Sequence, residues 1–281
     1  MKVICQIKEM QTEAERLRRE GKRIGFVPTM GFFHEGHLSL IRKAGELSDV
    51  VVVSLFVNPT QFGPGEDFEE YPRDKERDRR LAEENGCDIL FEPTVEGMYP
   101  QGYATYVNVE KLTDVLCGAS RPGHFRGVTT VVTKLLDIVR PHVAIFGQKD
   151  AQQSIVVKRM VEDLNQDVEI FVAPTVREPD GLAMSSRNTY LTPKQRGEAV
   201  VLYQSLQRAQ EMIRSGERRA KSIIEAMTEL IRATDSARIE YVAIVDVHNL
   251  QPLEILRGGV LIALAVRIGR ARLIDNTIIS C

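Results

Sequence analysis

Residues 49–57, DVVVVSLFV, restrict the possible folds of this chain more than any other segment. Their apolar side chains fall on both faces of a pleated strand, so both faces must be covered by other elements. Such a strand is typical of the interior of a parallel sheet with helices on each side. Short apolar runs alternate with segments of helical periodicity from about residue 23 to residue 174, which predicts a doubly wound α/β domain.

The pattern changes after Leu191. Thr192 and Pro193 are a good N-cap and first-turn pair, and apolar residues then recur at helical spacing up to Ile213. A second helix follows around residues 223–231, and the runs RIEYVAIVDV, VLIALAV and ARLID predict a small antiparallel sheet. We therefore predict a Rossmann-like domain over residues 1–176 and a smaller C-terminal α+β domain, a helix pair plus a small sheet, over residues 177–281.

Composition excludes several classes of partner. The 281 residues include 37 Lys and Arg against 39 Asp and Glu, so no basic excess favours nucleic acid or an anionic membrane. Four cysteines without CxxC or metal-ligand spacing are typical of a reducing compartment, which predicts a cytoplasmic protein. No apolar stretch approaches the ~18 residues of a membrane helix, and the first residues are too charged for a signal peptide.

The first predicted strand of the α/β domain ends in the segment PTMGFFHEGH, and a helix follows from Leu38. His34 and His37 are three residues apart at this helix start, where unpaired backbone N–H groups and the helix dipole favour an anion. Gly31 and Gly36 allow a ligand to approach the backbone closely. The alternative is that the two histidines cap an ordinary helix.

Three more polar segments follow predicted strands, at residues 58–63, 147–150 and 174–177. The carboxyl ends of parallel strands share one edge of the sheet, where ligands bind in open α/β folds. Lys149 is predicted to reach a phosphate, and the amides of Gln61 and Gln153 suit a hydroxy acid. Taken singly, these side chains are also compatible with a solvated lysine and with surface amides.

Two further segments carry candidate ligand-binding groups. Residues 183–188, AMSSRN, join the two predicted domains and combine two hydroxyls with an arginine. These groups are suited to bind phosphate oxygens. The alternative is that the segment is a flexible hinge with a solvated arginine. Residues 121–127, RPGHFRG, are predicted to form a loop whose arginines and histidine bind a carboxylate. The alternative is that they form only a rigid turn.

Taken together, these motifs resemble a known family. The ordered set PTMGFFHEGHLSLI, VNPTQFGPGEDFEEYPRD, RPGHFRGVTTVVTKL, FGQKDAQQ and MSSRN is similar to the pantothenate synthetase (pantoate–β-alanine ligase) family, which belongs to the HIGH-type nucleotidyltransferases. The similarity spans nearly the whole chain. The chain departs from the family pattern at Phe32 and Phe33, where smaller or aliphatic residues are expected, and at Ala151, often an aromatic residue in the family.

The resemblance implies a ligase that forms pantoyl adenylate from ATP and pantoate, releases pyrophosphate, and transfers pantoate to β-alanine to give pantothenate and AMP. It implies that His34, His37, Lys149 and Arg187 stabilise the transferring phosphoryl group, with His37 also as proton donor. Gln61 and Gln153 would hold pantoate, Gln61 would also lie near β-alanine, and Asp150 would bind the ribose. The residues implied to hold ATP are Met30, Gly31, Phe32, Phe33, His34, Glu35, Gly36, His37, Gly147, Gln148, Lys149, Asp150, Val176, Met184, Ser185, Ser186 and Arg187.

No cluster of Asp, Glu or His residues has the spacing of a metal site, so Mg²⁺ is expected to arrive on the ATP phosphates. The resemblance also implies a homodimer, with residues 177–281 as a lid over the active site. Two alternatives stay open: another adenylyl or cytidylyl transferase on the same scaffold, and a nucleotide-binding regulatory module without catalysis.

Overall fold

The protein is described by a computed structural model that covers all residues from Met1 to Cys281. The chain forms two compact units. The first consists of Met1–Glu110, Arg121–Gln148 and Val156–Pro174, and the second of Lys111–Ser120, Lys149–Ile155 and Thr175–Cys281. The second unit thus takes two short segments from the N-terminal half of the chain and around residue 150, in addition to the C-terminal region.

The first unit contains one sheet of six parallel strands. Its strands are β1 Lys2–Ile4, β2 Ile24–Thr29, β3 Val50–Leu55, β4 Ile89–Phe91, β5 Val143–Gly147 and β6 Glu169–Ala173. They are ordered β1-β4-β3-β2-β5-β6, and every neighbouring pair is parallel. The chain proceeds outward from β2 to one side and then returns to β5 on the other. The strand order therefore reverses between β2 and β5, which is where a doubly wound sheet opens a crevice for a ligand.

Ten α-helices accompany the strands. They are α1 Ile7–Arg19, α2 Glu35–Leu47, α3 Lys75–Glu84, α4 Val95–Met98, α5 Cys117–Ser120, α6 His124–Val139, α7 Ala151–Asp163, α8 Pro193–Glu198, α9 Val201–Arg214 and α10 Ala220–Arg232. In the first unit, Val51 and Val53 on β3 and Ile41 and Ala44 on α2 belong to one buried cluster. Val52 and Ser54 on the other face of β3 are 0% exposed, so both faces of this strand are covered as the sequence predicts for a central parallel strand.

The second unit ends in an antiparallel sheet. Its strands are β7 Ala237–Asp246, β8 Gly259–Ile268 and β9 Ala271–Ser280, with β8 in the middle. Helices α9 and α10 supply buried residues such as Leu206 and Met227 to the same core as Leu264 of β8. The predicted fold class, a doubly wound parallel sheet with a smaller C-terminal α+β part, is confirmed.

Three features differ from the sequence predictions. β1 has no counterpart among the predicted strands, because only Ile4 of its three residues is buried. The helix expected after Thr192 is two consecutive helices, α8 and α9. Residues 124–127, predicted as part of a loop, form the first turn of α6, because Gly123 adopts a left-handed φ of 82° and turns the chain into the helix.

Candidate active site

Four segments of the predicted site leave the first unit's sheet at one edge. Strands β3, β2, β5 and β6 are consecutive neighbours and parallel, so their carboxyl ends lie side by side. His34 and His37 follow β2, Gln61 follows β3, and Gly147 is the last residue of β5. The prediction that these segments share one edge is confirmed for the residues of the first unit.

The two histidines cap helix α2 with their own side chains. The backbone N–H of Gly36 donates to Nδ1 of His34 at 3.1 Å, and the backbone N–H of His34 donates to Nδ1 of His37 at 3.4 Å. An N–H group can only donate, so each Nδ1 must carry a lone pair. In its neutral form each ring therefore carries its proton on Nε2. The ring centroids are 4.1 Å apart, which puts two Nε2–H donors at the positive end of one helix.

Left-handed backbone precedes this helix start. Gly31 has φ of 86° and Phe32 has φ of 51°. For a residue with a β-carbon this conformation costs about 1–2 kcal/mol, so neighbouring groups must stabilise the turn. A Cβ atom on Gly31 would lie 2.5 Å from Cδ1 of Leu55, so only glycine fits at this position.

Helix α3 holds this turn through Asp78, which is 1% exposed. The backbone N–H groups of Phe32 and Phe33 each donate to one carboxylate oxygen of Asp78 at 2.7 Å. Burial raises the pKa of Asp78, and the two amide donors oppose that rise. Phe33 itself is 1% exposed and packs in the core, whereas Phe32 is half-buried.

The side chain of Gln61 is 8% exposed and already engaged. Its Oε1 accepts from Nδ2 of Asn58 at 3.1 Å, and its Nε2 lies 3.0 Å from Sδ of Met30. Met30 is predicted to bind ATP and Gln61 to bind pantoate, so the structure brings these two residues into contact. Asn58 is itself buried and held by the hydroxyl of Tyr99, which donates to its Oδ1 at 2.7 Å.

The start of α6 holds the backbone of Gln61. Nδ1 of His124 lies 2.8 Å from the carbonyl oxygen of Gln61, and Nη2 of Arg121 donates to the same oxygen at 3.3 Å. Because a carbonyl can only accept, Nδ1 of His124 carries a proton. Nη1 of Arg121 lies 3.0 Å from Nε2 of His124, where the guanidinium can only donate. Both ring nitrogens of His124 are therefore engaged, one by Gln61 and the other by Arg121.

Both carboxylate oxygens of Glu66 accept hydrogen bonds from the guanidinium of Arg121. Burial acts to raise the pKa of Glu66, but the hydrogen bonds and charge of Arg121 outweigh it and hold the pKa below its ordinary value. The charge of Arg121 is thus balanced within the first unit. This arrangement differs from the sequence interpretation of 121–127 as a loop with arginines directed at a ligand carboxylate.

Gly127 lets α6 approach the Gln61 segment closely. A Cβ atom at this position would lie 2.3 Å from the carbonyl oxygen of Thr60 and 2.6 Å from Cα of Gln61. Both of those atoms belong to the backbone, which has little freedom to move away. The absence of a side chain at Gly127 therefore fixes the distance between α6 and the residues that follow β3.

In the second unit, two neighbouring glutamines have different environments. The side chain of Gln152 is saturated: its Nε2 donates to the carbonyls of Leu112 and Val115, and its Oε1 accepts from the N–H of Cys117. Gln153 is half-buried, and no hydrogen bond joins its amide to the rest of the chain. Nothing in the sequence pattern separates the two glutamines, and the structure leaves Gln153 as the amide with capacity for a ligand.

Lys149 is half-buried and Asp150 is exposed. The carbonyl of Lys149 accepts from Nδ2 of Asn276, on strand β9, at 2.9 Å. This bond fixes the backbone of Lys149 to the C-terminal sheet of the second unit.

The AMSSRN segment forms a short hairpin with residues 176–178. The N–H of Met184 donates to the carbonyl of Val176 at 3.0 Å, so these two predicted ATP-binding residues are adjacent. Arg177 anchors the hairpin through two hydrogen bonds of 2.6 and 2.9 Å to the buried carboxylate of Asp275. Ser186 is buried and Arg187 is half-buried in the 3₁₀ turn that follows. Residues 183–188 are thus hydrogen-bonded to the segment that Arg177 attaches to β9.

Sequence reasoning missed several residues that shape the site. Asp78 carries no sequence signal, because an acidic residue near the start of a charged helix is ordinary. Asn58 stands at the start of the NPTQF segment, where Asn before Pro predicts a turn and not a buried amide. Glu66 lies in a glycine-bearing loop with several other acids, and nothing in the pattern distinguishes it.

No group of three or more His, Cys, Asp or Glu side chains is arranged to hold a metal ion. No helix has the length and apolar character required to cross a bilayer. All four cysteines are free thiols.

A doubly wound sheet with a histidine-capped helix start beside its switch point is typical of α/β proteins that bind nucleotides. The chain belongs to the pantoate-beta-alanine ligase family, whose model matches residues 2–278. It is 60% identical over 279 residues to pantothenate synthetase from Heliobacterium modesticaldum, with 99% of each chain covered. The chain is accordingly an enzyme of the ligase class.

Solved structures agree with this assignment. The pantothenate synthetase of Thermus thermophilus is 48% identical, with a TM-score of 0.94 and 99% of each chain covered. A pantoate-beta-alanine ligase from Francisella tularensis, complexed with Beta-gamma ATP and Beta-alanine, is 35% identical with a TM-score of 0.80, covering 99% of this chain and 97% of that one.

Proposed function

We propose that this chain condenses pantoate with β-alanine, using ATP, through a pantoyl adenylate. In the first step a carboxylate oxygen of pantoate attacks the α-phosphorus, and the bond to the bridging oxygen breaks to release pyrophosphate. In the second step the amine of β-alanine attacks the acyl carbon, AMP leaves, and the amine loses a proton. The products are pantothenate, AMP and pyrophosphate. Membership of the pantoate-beta-alanine ligase family supports the overall reaction.

The observation that carries the chemistry is the capping arrangement of His34 and His37. Both rings accept backbone N–H groups at Nδ1 and so carry Nε2–H donors at the dipole-positive end of α2. Preorganised donors of this kind stabilise negative charge that develops on phosphate oxygens during transfer. We assign both histidines to the α-phosphate and the leaving pyrophosphate, and His37 as the proton donor.

Residues of the second unit complete the proposed assignments for ATP. Lys149 and Arg187 are assigned to phosphate oxygens, Asp150 to the ribose hydroxyls, and Val176 with Met184 to ATP. The contact between the backbones of Val176 and Met184 supports their joint assignment. The remaining proposed ATP contacts are Met30, Gly31, Phe32, Glu35, Gly36, Gly147, Gln148, Ser185 and Ser186. Phe33, which the family resemblance also implies, is not among them, because its side chain is 1% exposed and its N–H and carbonyl bond to Asp78 and Arg77.

Pantoate is assigned to Gln61 and Gln153, and β-alanine to Gln61. The unused amide of Gln153 can both donate to a carboxylate and accept from a hydroxyl. Gln61 is held at its side chain by Asn58 and Met30 and at its carbonyl by α6, so it can present a fixed partner to a small hydroxy acid. The Francisella tularensis structure with Beta-gamma ATP and Beta-alanine supports these substrate classes.

We propose that Mg²⁺ arrives bound to the ATP phosphates and keeps much of its water, because no cluster of acidic side chains in the chain forms a metal cage. We further propose that the enzyme is a cytoplasmic homodimer and that residues 177–281 act as a lid that closes over bound substrates. The unpaired state of all four cysteines suits a reducing compartment.

The test is pyrophosphate release before the amine is present. With ATP, Mg²⁺ and pantoate but no β-alanine, rapid quench should detect about one equivalent of pyrophosphate per site and then a stall. Added β-alanine should give pantothenate and AMP at least as fast as steady-state turnover. Release only after β-alanine is added would exclude the two-step order. Pyrophosphate release with a different carboxylic acid or a nucleotide acceptor would favour another transferase. If no substrate gives pyrophosphate, a regulatory module without catalysis would be favoured.

A further inference from the structure

The turn between β2 and α2 is held in place by groups from a different helix. Phe32 has a left-handed φ of 51°, although phenylalanine has no preference for that conformation. Its side chain packs below the guanidinium of Arg77, 5.3 Å from the ring centroid. Since the residue itself does not favour this backbone, the surrounding structure must determine it.

Three backbone groups of this turn bond to two consecutive residues of α3. The N–H groups of Phe32 and Phe33 donate to separate oxygens of Asp78 at 2.7 Å. The carbonyl of Phe33 accepts from Nη2 of Arg77 at 2.8 Å. Hydrogen bonds to an ionised group are the strongest of their kind, and here two of them end on one buried carboxylate. The turn is thus fixed at both sides of the residue that precedes His34.

The next residue after this turn is the N-cap of α2. If the turn relaxed to a right-handed φ at Phe32, the direction of the chain into His34 would change, and with it the bond from the Gly36 N–H to the His34 ring. The geometry of the two imidazoles therefore depends on Asp78. The amides of Phe32 and Phe33 are also directed at Asp78, so their N–H groups serve the turn and not a ligand.

We propose that Asp78 is a positioning residue for the nucleotide: it holds the left-handed turn at Gly31 and Phe32 and thereby sets the orientation of His34 and His37 toward the phosphates. This inference rests on the proposed function only in that ATP is taken as the ligand of this helix start. Asp78 touches no reacting atom in this proposal, and its effect passes through the backbone.

The experiment compares Asp78→Asn with the unmodified enzyme and with Arg79→Ala as a matched control. Arg79 is the next residue of α3, and its guanidinium pairs with Glu92 at 2.7 and 2.8 Å without contacting the turn. The probe is α,β-methylene ATP, whose affinity is measured by calorimetry without turnover. We expect Asp78→Asn to weaken binding by about tenfold or more, because the turn loses an acceptor. We expect Arg79→Ala to stay within about twofold.

Steady-state kinetics separate positioning from general destabilisation. Asp78→Asn should lower kcat and raise the KM for ATP while the KM for pantoate stays within about twofold, at a temperature where both proteins are folded. The proposal would be overturned if Asp78→Asn bound the analogue with an affinity within about twofold of that of the unmodified enzyme. An equal rise in both KM values would also overturn it.

Phe32→Gly provides a second, independent test. Glycine adopts positive φ without a steric penalty, so the turn should then need Asp78 less. In a double-mutant cycle, the loss of analogue affinity caused by Asp78→Asn should fall to about threefold or less in the Phe32→Gly background. A loss as large as in the native background would show that Asp78 does not act through the turn. If Asp78→Asn alone fails to fold, the analogue affinity of the double variant is compared with that of Phe32→Gly. A loss of about threefold or less supports the proposal, and a larger loss overturns it.

Failure of this inference is distinguishable from failure of the proposed function. The unmodified enzyme is first assayed for pantothenate formation. An enzyme that binds the analogue but makes no pantothenate would disprove the proposed ligation, and the affinities of the variants would still test Asp78. An enzyme that makes pantothenate, with variants of unchanged affinity, would disprove only the inference.

Discussion

The guanidinium of Arg121 and the carboxylate of Glu66 form a two-pronged ion pair, with Nε to Oε1 at 2.7 Å and Nη2 to Oε2 at 2.6 Å. Through this pair, a loop that follows β3 is joined to the residues that lead into α6. Arg121 also donates to the carbonyl of Gln61. The arginine therefore acts on the proposed pantoate site through the backbone of Gln61.

Arg121→Lys should raise the KM for pantoate by about tenfold, with the KM for ATP within about twofold. A lysine cannot form both hydrogen bonds to Glu66 and also reach His124. Because the Gln61 backbone is then held less firmly, we expect the free energy of pantoate binding to weaken by about 1–3 kcal/mol. The control is Arg126→Ala, because Arg126 lies in the first turn of α6 and its guanidinium stacks 3.8 Å from the ring centroid of Tyr106. A similar rise in the KM of both substrates would contradict a specific role for Arg121.

His37→Ala should reduce adenylate formation by about 10²-fold or more, because one preorganised donor to developing phosphate charge is lost. The measurement is pantoate-dependent pyrophosphate release under single-turnover conditions. His248→Ala, which removes an exposed histidine of the second unit, is the matched control and should behave as the unmodified enzyme. If the rate for His37→Ala stays within a few fold of the native rate while α2 remains folded, the assignment of His37 is wrong.

Gln153→Ala and Gln152→Ala should have opposite profiles. Loss of the Gln153 amide should raise the KM for pantoate far more than that for ATP, with a cost of roughly 1–3 kcal/mol and little change in Tm. Loss of the Gln152 amide removes the partners of the Cys117 N–H and the Leu112 carbonyl, so Tm should fall instead. Initial rates at varied pantoate and ATP, together with thermal unfolding of both variants, make the comparison. Equal effects of Gln153→Ala on the two KM values would mean that the pantoate site lies elsewhere.

The stability of the first unit should fall as the pH drops below about 6.5, because the fold lowers the pKa of His142 and so opposes protonation of its ring. Burial, followed by the charges of Arg18 and Arg23, lowers the pKa of His142, and its Nδ1 accepts from the N–H of Ile24 at 2.9 Å. The pKa of His142 is lower in the folded protein than in the unfolded chain. Its contribution to the free energy of unfolding is therefore complete above the unfolded pKa, and it is lost as the pH falls through the folded pKa.

The measurement for His142 is the midpoint of urea unfolding between about pH 8 and pH 5, an interval that spans the ordinary pKa of histidine. His142→Asn keeps an acceptor for the Ile24 N–H but cannot be protonated, so its stability should change less with pH across this interval. Identical pH dependence in the two proteins would show that His142 does not titrate between the folded and unfolded states.

Parts of the structure that depend on local pattern are predictable. The buried strand in residues 49–57 and a helix close to His34 and His37 follow from periodicity and spacing. The helix begins at Glu35, within PTMGFFHEGH, and not at Leu38 as predicted, because the two histidine side chains cap it. β1 is not predictable in the same way, because three residues with one buried side chain carry no periodic signal, and their hydrogen bonds come from β4. Pro122 and Gly123 correctly indicate a turn, but the helix that follows at His124 is stabilised by packing on the sheet.

The sequence by itself determined the fold class, the strand ends that carry polar residues and the residue types available for phosphate chemistry. These follow from local spacing, because residues three apart on a helix, or at the end of an apolar run, have fixed relations in any fold. Only the tertiary structure decided that Asp78 holds the turn at Phe32, that Arg121 serves Gln61 and that Gln152 is saturated while Gln153 is not. Each of these depends on hydrogen bonds between segments distant along the chain, whose partners are set by how helices pack on the sheet and not by local spacing.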